Sequence, residues 1–253
     1  MENSPPPAAV EEEEATQPDP FPPHPDHAAM LRPPSPPRAF PTLDSLAVFL
    51  RPRLPPQALA FWGTAPGTKT LLNLFLELTH GDCTLHLPAA PPPLVVRAVH
   101  VATVNIRNCR GARLVETRQL LSDGRLRSRG PRPLSEKMRP GESPEAAAVR
   151  AVREELGERA RVRILGAVDA RVEERESASY PGLPARYVLH AVDAELVDGV
   201  PEDGEFETEE IGEEGEAESG AITVKRHFWE WVNDDDDDSE LKDIVAAAGS
   251  SAH

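Results

Sequence analysis

Two periodicities divide the chain. In LDSLAVFLRPRL, residues 43–54, the apolar positions Leu43, Leu46, Phe49 and Leu50 recur at helical spacing, with Asp44 near the start and Pro52 as an interruption. PPQALAFWG, 55–63, predicts a second helical piece that enters on prolines and stops at Gly63. Residues 69–87 fit either a helix or a strand pair turning at HGDC, and APPP at 90–93 is a break. From residue 94 onward β-branched and alternating runs dominate. LVVRAVHVATVNI (94–106), ARLVETRQLL (112–121), VRILGAVDARVEE (162–174), ARYVLHAVDAELV (185–197) and AITVKRHFWEWV (221–232) predict strands. Helices are predicted over 144–156 and over SELKDIVAAA, 239–248. Strands around one central helix, without internal repeats, indicate the α/β class, as an α+β sandwich.

The central helix carries the chemistry. Ser143 suits its N-cap, Pro144 its first position, Glu145 the positive end of its dipole, and Gly157 its end. Val149, Val152 and Leu156 follow a spacing of three and four and are expected to face the core. Arg150, Ala151, Glu154 and Glu155 then line the opposite side, an acidic stripe with a hole at Ala151.

RPGESPEAAAVRAVREELGE, 139–158, resembles the Nudix box, G-x5-E-x7-R-E-U-x-E-E-x-G-U, where U is bulky and aliphatic. Glu142, Arg150, Val152, Glu154, Glu155 and Gly157 match; Glu136, Ala151 and Glu158 depart from the pattern. HFWEWVNDDDDDSELKDIV is similar to the tryptophan-containing strand and short helix that close the family's fold, so the resemblance covers residues 94–248. It implies a mixed sheet flanked by helices. It also implies cleavage of nucleoside diphosphates linked to another group, with divalent cations neutralising the charge that develops on phosphate. The catalytic positions would be Glu155, Glu154 and Arg150, and the metal ligands Glu154, Glu155 and Glu142, giving a weak Mg2+ or Mn2+ site. In the family the position of Ala151 supplies a metal ligand and the preceding arginine orients it. Glu136 stands where glycine frees a loop carbonyl for the metal. Glu173, Glu174 and Glu176 are candidates for a replacement carboxylate.

Composition adjusts this picture. Thirteen of the 28 prolines lie in residues 1–41, together with the acidic run Glu11–Glu14, so this segment is expected to be a disordered Pro-rich tail. Residues 42–93 then form a helical extension packed on the 94–248 domain, which carries an acidic loop at 201–219. A net charge of −16 argues against a general nucleic-acid binder. Two cysteines make no disulfide framework, and no run has membrane-spanning length. A cytoplasmic protein, with the nucleus as a second location, is the expectation. GTAPGTKT, 63–70, mimics a phosphate-binding loop but has Thr68 where glycine must precede the lysine.

Residues 107–139 reverse the overall charge, with ten Lys or Arg against three acids. Arg118, Arg125, Arg127, Arg129, Arg132, Lys137 and Arg139 converge in sequence on the loop before the helix. Arg125, Arg127 and Arg139, with Tyr180 as a stacking platform, are the candidate ligand-binding residues, because guanidinium forks suit phosphate. Three functional readings stand. One is a domain with a degenerate box, weak or silent as a hydrolase, binding a nucleotide, another phosphorylated small molecule or a protein. The second is an active metal-dependent diphosphohydrolase. The third is a scaffold working through its acidic and Pro-rich segments.

Overall fold

The computed structural model describes residues 39–87, 95–165, 170–211 and 220–233. The tail expected at 1–41 and the helix expected at 239–248 lie, in whole or large part, outside these residues. Helices α1 (Leu43–Leu50), α2 (Ala58–Phe61) and α3 (Leu71–His80) come first. The ambiguity over 69–87 resolves as α3 followed by a short strand, β1 (Thr84–His86), with Gly81 turning the chain at φ 81°. Thr42 and Thr70 close capping boxes on α1 and α3.

The remaining strands are β2 (Val96–Arg107), β3 (Arg113–Leu121), β4 (Leu126–Arg127), β5 (Leu134–Lys137), β6 (Arg161–Ile164), β7 (Ala170–Glu176), β8 (Pro184–Asp198), β9 (Glu205–Glu209) and β10 (Val224–Val232). The helix α4 (Pro144–Leu156) lies between β5 and β6. The sheet runs β6-β8-β2-β3-β10-β9; β2 and β8 are parallel along their length, and the other pairs are antiparallel. A mixed sheet with few helices is the α/β fold expected from the sequence. The single strand expected at 162–174 is two, β6 and β7, both paired with β8. The acidic tract also contains a strand: β9 turns Phe206 and Thr208 inward while Glu205, Glu207 and Glu209 stay exposed.

One apolar core fills the space between α4 and the sheet, with Val104, Ile106, Leu134, Val192, Trp229 and Trp231 at its centre. A second lies under the N-terminal helices, where Leu46, Leu50, Trp62 and Leu74 pack on Val95, Val99, Tyr180 and Leu183. The extension is also tied by polar contacts. The Asn73 side chain bridges both backbone groups of Ile222, and Trp62 Nε1 donates to Pro181 O at 2.9 Å. Among the described residues no helix is long and apolar enough to cross a membrane.

Candidate functional site

Helix α4 starts as its sequence dictates: Ser143 accepts from the Ala146 N–H at 3.2 Å, and Pro144 follows. Its burial differs from the expected wheel. Val149 is 55% exposed, whereas Ala147, Ala148, Ala151, Val152, Glu155 and Leu156 are buried. Ala151 has no exposed surface and belongs to the main core. The acidic stripe is therefore not one solvated face. Glu155 points inward beside Ala151, and Glu154 sits at the margin. The C-terminal end is pinned by the acidic tract: Thr208 Oγ1 donates to Glu155 O, and Ile211 N donates to Glu154 O at 2.8 Å.

Arg150 organises the outer part of the box. Its Nε and Nη2 grip both oxygens of Glu142 at 2.9 Å, Nη1 donates to Glu154 at 2.9 Å, and Nη2 also donates to the Lys137 carbonyl at 2.7 Å. Glu136 lies 3.6 Å from the same guanidinium. The loop position held by Glu136 is now a strand residue, paired with Ala102 in the β2–β5 ladder. The Arg150 contacts hold the Glu142 carboxyl below its usual pKa, while burial raises that of Glu154. Two of the three expected metal ligands are thus engaged by a protein cation.

The third, Glu155, meets partners that sequence reading missed. His227 on β10 places Nδ1 2.6 Å from Glu116 of β3 and 3.5 Å from Glu155, while its Nε2 contacts Glu210. Glu116 also accepts from Arg132 Nε at 2.7 Å. Burial pushes Glu155 well above the carboxylate range, and nearby Glu116 adds to the rise while His227 opposes it. For His227, burial opposes charge, yet hydrogen bonds with Glu116 and Glu210 raise the pKa to about 10. The only advance signals were a lone acid inside the apolar run RLVETRQLL and a histidine sharing the buried face of Trp229 and Trp231.

Glu116, Glu155 and His227 each offer a ligating atom, all within 4.8 Å of one another, so the group could hold a divalent cation. The fit with the present bonding is poor. A histidine whose two ring nitrogens both face carboxylates donates from both, is cationic, and has no lone pair for a metal. A metal would have to displace that proton.

A prediction follows from His227. Folding raises its pKa, so its stabilisation is complete below about pH 6.5 and is lost as pH climbs through about 10. The thermal midpoint should fall over that interval and fall less in His227→Gln, each tenfold change in proton affinity being worth about 1.4 kcal/mol. Parallel melting curves for the two proteins would assign the loss to other groups.

The three arginines expected to bind ligand, Arg125, Arg127 and Arg139, engage separate partners. Arg125 binds Asp123 and donates to the Ala65 carbonyl at 3.1 Å. Arg139 lies 3.6 Å from Glu154. Arg127 is buried, donating to Gln119 Oε1. Tyr180 is fully buried against Trp62, with ring centroids 5.0 Å apart, so it packs the core and is out of reach as a stacking platform. Glu173 and Glu174 pair with Arg171, Arg175 and Arg186 along strands β7 and β8, and Glu176 is exposed at the end of β7.

The family model described as the NUDIX domain matches residues 96–232. A Nudix hydrolase from Nitrosomonas europaea is similar at 19% identity over 41% of this chain, with a TM-score of 0.29; the match spans 62% of that protein's length. DR0079 from Deinococcus radiodurans is similar at 19% identity over 59% of this chain and 73% of its own, with a TM-score of 0.26. No curated protein matches the chain.

Proposed function

The chain belongs to the Nudix family, and we propose that its domain is one whose hydrolase chemistry is silenced or much weakened, retained to bind a phosphate-bearing small molecule. One observation carries this reading: every box carboxylate already has a protein cation. Arg150 holds Glu142 and Glu154, and His227 faces Glu155. The missing ligand position, Ala151, is packed in the core. Cleavage of a diphosphate needs positive charge placed against the phosphate oxygens. Here the carboxylates that would hold such ions are spent on internal pairs.

The grouping of Glu116, Glu155 and His227 supports a second reading, an active hydrolase whose metal ligands are drawn from β3 and β10. One assay separates the two. Nucleoside-diphosphate-linked substrates are incubated with Mg2+ or Mn2+ and either the wild type or Glu155→Gln. Background turnover in both proteins is expected. Robust wild-type turnover that disappears in Glu155→Gln would establish the second reading instead.

A further inference from the structure

Beside the box, on the other flank of Glu116, four arginines line a shallow surface depression. Arg118 comes from β3, Arg127 from β4, and Arg129 and Arg132 from the connection to β5. Only one carboxylate lines it, Glu116, which Arg132 already shares with His227. Among the described residues Arg118, Arg127 and Arg129 have no carboxylate within 4.0 Å. Arg118 lies over the Phe228 ring at 5.0 Å, Arg129 donates to Ser179 Oγ at 3.0 Å, and Arg127 donates to the neutral Gln119 amide oxygen. Arg127 is 7% exposed, and its Nη1 has no hydrogen-bond partner. Burial, with repulsion from Arg129 and Arg132, pulls its pKa down to about 9. A buried guanidinium with an unused donor is costly. Gathering further guanidiniums around it compounds that cost unless an anion completes the set.

We propose that this arginine-lined depression is a binding site for a phosphate group, with Arg127 as its buried floor and Arg118, Arg129 and Arg132 as its rim. The depression encloses no ligand, so only the charged end of one would be gripped, and four guanidiniums select phosphate oxygens: the ligand is a free phosphate, a pyrophosphate, or the phosphate end of a small molecule. The guanidinium fork gives paired hydrogen bonds to such oxygens. This deepens the binding reading above by locating the group that would do the binding, and it rests on that reading for the choice of ligand. It does not depend on whether the box turns over substrate.

The test is calorimetric titration of the whole chain in EDTA at constant ionic strength, so that no metal at the box contributes. Inorganic phosphate, pyrophosphate and ribose 5-phosphate are compared, which separates free anions from a phosphomonoester. At least one should bind, and Arg118→Gln and Arg129→Gln, both on exposed side chains, should each weaken binding about tenfold, the worth of one charge-assisted hydrogen bond. Arg163→Gln, which removes an exposed charge from β6, should leave affinity unchanged. Arg127→Lys keeps the charge and loses the fork, and should bind more weakly while folding. No binding at millimolar concentration, or equal losses in Arg118→Gln, Arg129→Gln and Arg163→Gln, overturns the site. Neither result bears on the turnover assay, so failure here and failure of the silent-box reading are distinguishable.

Discussion

Ala151→Glu is expected to destabilise the domain by about 3–5 kcal/mol, the cost of an uncompensated buried charge. From the sequence, this substitution looks like repair of the box, a carboxylate restored on an exposed helical face beside Arg150. The structure reverses that expectation. Position 151 has no exposed surface, sits in the cluster with Val104, Ile106, Leu134 and Trp229, and is one turn from a second buried acid, Glu155. Arg150 has its fork on Glu142 and its remaining nitrogen on Glu154, leaving it no free face to offer a new carboxylate. Overpacking adds to the electrostatic penalty. Against a domain stability of about 5–15 kcal/mol, the loss approaches unfolding. Urea denaturation of Ala151→Glu and Ala151→Gln would measure it, the glutamine separating volume from charge. A soluble Ala151→Glu protein with an unshifted midpoint and a new divalent-cation site would show that position 151 opens to a metal pocket.

Glu77→Gln is expected to cost a similar amount, about 3–5 kcal/mol, because it strands buried cations. Glu77 on α3 is 5% exposed and takes Lys69 at 3.1 Å, Lys137 at 2.9 Å and Arg97 at 2.6 Å. Burial alone would raise its pKa, but the charges of Lys137, Arg97 and Lys69 hold it well below the usual range. Arg97 is on β2 and Lys137 on β5, so this one carboxylate fastens the N-terminal helices to the Nudix sheet. Its loss should appear as a lower unfolding midpoint. Adding Arg97→Met should recover part of the loss by removing the most buried of the stranded cations. A midpoint within experimental error of wild type for Glu77→Gln alone would mean that apolar packing carries the docking of α3.

The decoy GTAPGTKT is explained by the same cluster. Lys69, the lysine that would have met a phosphate, is paired with Glu77, and Thr68 is buried with its hydroxyl accepting from Gly63 N at 3.0 Å. A motif at the right composition and wrong spacing folded into a structural role.

What the sequence by itself determined was set by short-range physics. The box helix was legible to the residue because Ser143, Pro144 and Gly157 act on neighbours within one turn. Strands β2, β3, β8 and β10 were legible because alternation and β-branching act along the strand itself. The six matched box positions carried the resemblance to the family whose model matches residues 96–232. The tertiary structure decided everything that depended on direction. Whether Ala151 faces solvent or core turned on where the sheet lies around α4, and a helix of alanines and mixed charges is nearly indifferent between faces. The strand β9 stayed hidden because its pairing energy comes from β10, not from its own acidic composition. The real neighbours of Glu155 are Glu116 and His227, 39 and 72 residues away in the chain. No local pattern encodes a contact at that separation, and the β3–β10 register that creates it exists only once the sheet has closed over the helix.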